Sequence, residues 1–207
     1  MAIWRDQLLP RCIDIALRSP EVTAWRQKSL RGIHGVVVEP GFGTGLNIAH
    51  MPSEVTKVYA VDPAVVGRKI SANRVEASHI DVEHIGLDGQ KIPLDDKSCD
   101  AGLLTFTLCT IPDSAAALGE LRRVIKPDGT LHFVEHGAAP DARVKAWQDR
   151  ITPIQKVIAD GCHLNRPIVD LISDAGFTIE WSEADYVGRP KAAAYFTVGV
   201  ARRPSGP

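Results

Sequence analysis

The stretch Val36-Val37-Val38-Glu39-Pro40-Gly41-Phe42-Gly43-Thr44-Gly45 decides how the rest of the chain is read. Three valines form a short unbroken apolar run, the mark of a parallel strand covered on both faces. An acid and a proline follow, and then glycine takes every second position. Glycine packs nothing and costs backbone entropy. Three of them in five residues, at the end of a buried strand, imply a ligand held close to the backbone. Two common cofactor loops do not fit. G-x-G-x-x-G counted from Gly41 meets Leu46 where its third glycine belongs. A P-loop fails too, because no Gly-Lys-Ser/Thr follows. What stands is E-x-G-x-G-x-G, from Glu39 to Gly45.

Further β-rich runs cover Lys57 to Val61, Ile80 to Ile85, Ala101 to Phe106 and Thr130 to Val134. Helical segments separate them. Leu46 to Met51 can open directly out of the glycine loop, and Ala64 to Ala77 carries Val65, Val66, Ile70 and Val75 inward. A helix capped by Asp113 or Ser114 bears Leu118, Leu121 and Ile125, and the Lys126-Pro127-Asp128-Gly129 turn ends it. After Pro140, Trp147, Ile151, Ile154 and Ile158 repeat at helical spacing. Asn165 and Pro167 open another helix, which Gly176 stops. Phe177, Ile179 and Trp181 predict a sixth strand and Tyr195 to Ala201 a seventh. The short loop between them predicts an antiparallel pair. In the first thirty residues, Ile3, Trp4, Leu8, Leu9, Cys12, Ile13 and Ala16 share one helical face. A second helix starts at Pro20, with Val22, Trp25 and Leu30 inward. The alternation predicts an α/β fold with a mostly parallel sheet. Ligands then bind outside the carboxyl ends of the strands, where strand order reverses.

At 207 residues the chain can bury a large core, ~70% of the surface its unfolded form exposes. The charge balance is 24 basic against 25 acidic residues with no basic block, which disfavours nucleic acid as a partner. Cys12, Cys99, Cys109 and Cys162 form no C-x-x-C pair, so the spacing signals neither a disulfide framework nor a metal site, and reduced thiols in a cytoplasmic protein are expected. No apolar run reaches the ~20 residues of a membrane span, and the N-terminus lacks a signal-peptide shape. Residues from Arg202 onward read as a loose tail. Nothing in the sequence indicates an oligomeric state.

Several motifs in order carry a family likeness. Asp62 ends the second strand, 23 residues after Glu39. Leu87-Asp88-Gly89-Gln90-Lys91-Ile92-Pro93-Leu94 follows the third. Ser98-Cys99-Asp100 precedes the fourth, and Glu120-Leu121-Arg122-Arg123-Val124-Ile125-Lys126-Pro127-Asp128-Gly129-Thr130 leads into the fifth. With E-x-G-x-G-x-G, these resemble class I S-adenosylmethionine (SAM)-dependent methyltransferases over roughly residues 32 to 202. Leu108-Cys109, Phe133-Val134-Glu135-His136, Trp147 and Asp160-Gly161-Cys162-His163-Leu164-Asn165-Arg166 are similar to the subfamily that includes thiol S-methyltransferases. Phospholipid N-methyltransferases and quinone-pathway C-methyltransferases are also similar. The chain departs from the eukaryotic thiol-methylating members in lacking their N-terminal membrane segment, so no stable membrane anchor is expected, although lipid contact stays open.

The resemblance implies a Rossmann-like fold with a seven-stranded, mostly parallel sheet, an antiparallel C-terminal strand and flanking helices. It divides the chain into an N-terminal helical cap over the site (1–31), a SAM-binding domain (32–202) and a tail (203–207). Glu39, Gly41, Phe42, Gly43, Gly45, Asp62, Pro63, Asp88, Gly89 and Thr105 are the implied cofactor contacts. Among them Glu39 faces the methionyl amino group, Asp62 the ribose and Asp88 the adenine; the direction of the Phe42 ring stays open. S-Adenosylhomocysteine is the implied product. Trp4, Leu8, Cys109, Glu135, Trp147 and Cys162 are expected around the acceptor. Glu39 can also be read as an acid with only electrostatic value, Asp62 as a helix cap, Asp88 as a turn residue, and Trp4, Leu8 and Trp147 as packing. His136, just past the fifth strand beside Glu135, is the first candidate base, and His163, next to Cys162, the second. Either could instead serve a structural hydrogen bond. Cys109 reads as a small apolar pocket residue rather than a nucleophile.

The preferred acceptor is a small, fairly apolar thiol, since a thiol ionises near ~8.5 and needs only modest activation. N-methylation of a phospholipid head group or of another small metabolite is the enzymatic alternative. A catalytically silent SAM-binding protein is the non-enzymatic one.

Overall fold

The computed structural model describes residues 8–206. A seven-stranded sheet runs in the order β3-β2-β1-β4-β5-β7-β6. The strands are β1 (Gly35–Pro40), β2 (Val55–Val61), β3 (Asp81–Gly86), β4 (Cys99–Thr105), β5 (Ile125–His136), β6 (Thr178–Tyr186) and β7 (Tyr195–Arg202). The first five pair in parallel, and β7 runs antiparallel to both β5 and β6. So β7 alone is reversed, as expected of a hairpin without a crossover helix. The helices are α1 (Leu9–Ala16), α2 (Pro20–Ser29), α3 (Val65–Glu76), α4 (Ser114–Val124), α5 (Ala142–Ile158) and α6 (Ile168–Asp174).

The central strands β1 and β4 are largely apolar because both sheet faces are covered there, whereas the edge strands β3 and β6 carry exposed polar residues. Val37 packs into one core with Leu103, Val58 and Phe42, while its neighbour Val38 packs into the other with Leu104, Leu118 and Phe133. Alternation by two thus feeds both cores from one valine run. Strand order reverses between β1 and β4, so a crevice opens at their carboxyl ends.

Several local expectations change. Leu46 to Met51 forms only a 3-10 turn, Ile48–His50. Pro52 forces Met51 into an extended conformation, which stops a helix there. In α3, Val65 is 68% exposed, and the buried face is Gly67 and Ser71. Small residues are needed there because α3 lies against the glycine loop: a Cβ on Gly67 would come within 2.8 Å of the Gly43 carbonyl oxygen. In α5 the buried face is polar. Gln148 accepts from the Ala139 N–H at 2.9 Å and donates to the Gly137 carbonyl at 3.0 Å, which docks α5 on the loop after β5. Trp147 is consequently turned outward, with Arg150 over its ring. Finally, Arg203 is not a loose residue. Its N–H bonds the Gly129 carbonyl and its own carbonyl accepts from the Asp128 N–H, both at 2.9 Å.

Candidate active site

The glycine loop leaves β1 with Gly41, Gly43 and Gly45 all at positive φ: 72°, 56° and 72°. L-residues avoid this region, which explains a glycine at every second position. The three differ in what surrounds them. A Cβ on Gly41 would lie 2.0 Å from Thr107 Oγ1, and one on Gly45 would press on Ser71 and the Phe42 ring at 3.1 and 3.2 Å. A Cβ on Gly43 would meet nothing closer than 3.7 Å. Gly41 and Gly45 therefore allow the loop to pack on the protein, and Gly43 leaves space.

That space belongs to a cavity of about 720 Å³ across the β1/β4 switch point. Glu39, Gly41, Phe42 and Gly43 line it, as do Asp62, Pro63, Asp88, Gly89 and Thr105. Gly45 does not: its missing side chain makes room for Phe42. Phe42 is buried in the core beside β1 and meets the His84 ring edge-on at 5.4 Å, so its ring serves packing while its edge borders the cavity. The Asp62 oxygens accept from the Gly43 and Ala64 N–H groups at 2.8 and 2.7 Å. Burial raises the Asp62 carboxyl above its ordinary range, and these two hydrogen bonds oppose the rise. Asp88 accepts from the Gln90 side chain and N–H, which hold it below the usual carboxylate range.

A buried polar chain lies at the inner end. Asn47 Nδ2 donates to Glu39 Oε1 at 2.5 Å and to Thr105 Oγ1 at 3.1 Å, and Asn47 Oδ1 accepts from Arg26 Nη1. Among the described residues, Glu39 Oε2 and Arg26 Nη2 are buried without a hydrogen-bond partner. Burial pushes the Glu39 carboxyl up to about 8 and pulls the Arg26 guanidinium down to about 10. Both residues line the cavity. One unpartnered acceptor and one unpartnered donor of opposite charge fit the ammonium and carboxylate of an α-amino acid. Sequence reading missed Arg26 and Asn47. The trace of Arg26 is a cation on the inward stripe Val22-Trp25-Arg26-Ser29 of α2.

At the outer end stand Cys109, His136 and Cys162, from the loop after β4, the end of β5 and the loop after α5. Phe106 and Phe196 pack on the His136 ring at 5.2 and 5.0 Å. The Cys162 sulfur and burial push the Cys109 thiol well above its ordinary range. Glu135, expected in the pocket, is absent from its wall. It is fully buried and accepts the Thr107, Leu108 and Cys109 N–H groups at 2.8, 2.9 and 3.0 Å, which shapes the loop carrying Cys109. Successive strand residues face opposite sides, so Glu135 cannot share the pocket with His136. His163 does not line the cavity either; its ring bonds the Cys109 carbonyl at 3.2 Å.

The helical roof is α1, whose Leu9 and Ile13 line the cavity together with Leu17 just after it, whereas Leu8 is exposed and does not. Trp147, 58% exposed, is also outside the site. Trp4 lies outside the described residues. Asp14 anchors α1. It bonds Thr44 Oγ1 at 2.5 Å and Arg74 Nη1 at 2.8 Å, tying the roof to the glycine loop and α3.

A glycine loop after β1, an acid after β2 and a crevice at the switch point define a doubly wound α/β enzyme that takes a nucleoside-bearing cofactor. A family model described as a methyltransferase domain matches residues 38–133. Thiol S-methyltransferase TMT1B of Rattus norvegicus is 34% identical over 172 residues, which cover 79% of this chain and 70% of that protein. Homo sapiens TMT1B is 32% identical over 178 residues, 83% of this chain and 71% of that one. The crystal structure of a SAM-dependent methyltransferase from Aquifex aeolicus shares the fold with a TM-score of 0.65 at 22% identity, covering 94% of this chain and 98% of that one. The chain belongs to the class I SAM-dependent methyltransferase family that includes the thiol S-methyltransferases, and its cofactor is SAM. No helix among the described residues is long and apolar enough to cross a membrane.

Proposed function

We propose that the enzyme methylates the sulfur of a small, fairly apolar thiol. The observation that carries this reading is the cavity itself. It runs from the glycine loop to Cys109, His136 and Cys162, with Leu9 and Ile13 of α1 and Leu17 just after it forming an apolar wall. The likeness to proteins named thiol S-methyltransferases supports it.

SAM, when bound, supplies a methyl group on a sulfonium. The chain's own residues bind and orient. Glu39 Oε2 takes the ammonium and Arg26 Nη2 the carboxylate of the methionyl part. Asp62 keeps a lone pair on each oxygen for the ribose hydroxyls, its edge fixed by Gly43 and Ala64. Asp88 and Gly89 border the base. Residues 8–31, through α1 and Arg26, cap the site. The apolar wall excludes water, which favours a reaction that brings a thiolate and a sulfonium together and neutralises both. His136 activates the acceptor; it alone of the two candidate histidines reaches the cavity.

Two experiments test the reading. Calorimetry should show SAM binding that Gly43→Val abolishes. A panel of thiols, amines and phospholipids, read by product mass, should give methyl thioethers. Turnover confined to amine or lipid head groups would sink the thiol assignment.

A further inference from the structure

Cys109, His136 and Cys162 lie 27 and 26 residues apart, a spacing with no metal-binding signature. The fold nevertheless brings three soft or borderline donor atoms to one point. The two Sγ atoms are 3.7 Å apart, and each lies 3.8 Å from His136 Nδ1. A tetrahedral zinc ion bound by sulfur at ~2.3 Å and nitrogen at ~2.0 Å separates its ligand atoms by roughly 3.5–3.8 Å. The triangle matches that requirement with hardly any movement. A thiol hydrogen-bonded to a histidine would need only one such edge.

The ligands are also held in advance. His136 ends a central strand, and Phe106 and Phe196 pack on its ring at 5.2 and 5.0 Å, which fixes the imidazole's orientation. The Cys109 N–H is clamped by Glu135, and its carbonyl accepts the His163 N–H at 2.7 Å. The Cys162 N–H bonds the Ala159 carbonyl at 3.1 Å. Two thiolates and an imidazole suit zinc, and three protein ligands are the number a catalytic rather than structural site uses. All three residues line the cavity, so the fourth position is reached from it.

We propose that Cys109, His136 and Cys162 bind a zinc ion whose fourth ligand is the acceptor, held as a thiolate. Occupancy by metal rests on the triangle; the identity of the fourth ligand rests on the thiol reading above. In this scheme His136 activates the acceptor as a metal ligand. The acceptor R–SH gives its proton to solvent as the zinc–sulfur bond forms. A sulfur lone pair then forms the bond to the methyl carbon. The sulfonium carbon–sulfur bond breaks with its electron pair going to the departing sulfur, and the neutral thioether, a poor ligand, leaves the metal.

The test uses the full chain purified under reductant. Elemental analysis should find about one zinc per chain. After chelation, cobalt(II) should bind at the same ratio with a thiolate-to-cobalt charge-transfer band and the visible spectrum of a tetrahedral ion. Cys109→Ser, Cys162→Ser and His136→Ala should each weaken cobalt binding by more than ~10-fold, since loss of a ligand costs more than loss of an outer partner. SAM calorimetry on the same variants certifies their folding. Addition of a small thiol should shift the cobalt bands. Absence of zinc and of the band, or a band that survives both serine variants, would overturn the metal site. A chelated enzyme that methylates thiols at full rate would overturn it too, leaving the thiol reading intact. Cobalt bands unmoved by thiols, in an enzyme that methylates only amines, would remove the fourth ligand together with the thiol reading.

Discussion

Two glycines of the loop make opposite predictions. Gly41→Ala places a methyl group against Thr107 and forces an L-residue into the left-handed region. Together these cost about 2–4 kcal/mol, to be read as a lower denaturation midpoint. Gly43→Ala pays about 1–2 kcal/mol for its φ alone, yet its side chain enters open space beside the cavity, and SAM affinity should suffer more than stability. Glu39 carries a pH signature. With its carboxyl at about 8, the free enzyme is mostly protonated there at neutral pH. An ammonium ligand favours the ionised form, so binding near pH 7 should release nearly one proton, and affinity should rise with pH and level off above about 8. Calorimetry in two buffers of different ionisation enthalpy measures this. Glu39→Gln should remove the proton release and weaken SAM by about 1.5–3 kcal/mol, the worth of a charged hydrogen bond. An unchanged proton count in that variant would refute the role given to Glu39.

Among the elements, α1 and α5 exchange the parts their sequences suggest. In α1 the decisive inward residue is not apolar. Burial works to raise the Asp14 carboxyl, but Arg74 and Thr44 more than compensate and hold it below its ordinary range. Asp14→Ala leaves Arg74 and Thr44 without their acceptor, and hydrogen exchange in residues 9–16 should accelerate while the sheet amides stay protected. The KM for SAM should rise several-fold with kcat nearly unchanged. In α5 Trp147, Ile154 and Ile158 face outward and only Ile151 packs inward, against Cys109, Cys162 and Leu164, because an amide, Gln148, satisfies two backbone groups of the docking loop. Trp147→Ala should therefore change stability by less than about 0.5 kcal/mol and leave acceptor KM alone. A large rise in that KM would return Trp147 to the site.

At the scale of the molecule, the chain's two ends are not equivalent. The last strand, β7, lies inside the sheet between β5 and β6, with Val198, Val200 and Ala201 buried. Truncation before Tyr195 should abolish cooperative folding. Removal of residues 1–18 takes away α1 and leaves all seven described strands in place. That variant should retain a cooperative thermal transition and its far-ultraviolet signal, and lose SAM affinity. Loss of both folding and binding would show α1 to be part of the core rather than a roof.

The periodicity of the chain was enough to determine the α/β class, the parallel character of the sheet, the reversed last strand and the cofactor loop. Each depends on local chemistry: apolar runs where both faces are covered, glycines where φ is positive, prolines where a helix must stop. Glu39, Asp62 and the loop stood out because strand ends and the cavity wall coincide in sequence. Arg26 and Asn47 did not, since a buried charge is recognised only when its partners are in place. Hydrophobic spacing likewise does not reveal the inward face of α5, because it does not register a buried amide whose acceptor and donor lie on another segment. The sequence ranks His136 ahead of His163 but leaves both as candidates; strand direction and loop path send one into the cavity and the other to a backbone carbonyl. The Cys109–His136–Cys162 triangle belongs wholly to the tertiary structure, because three residues so far apart in sequence meet only after the sheet has closed.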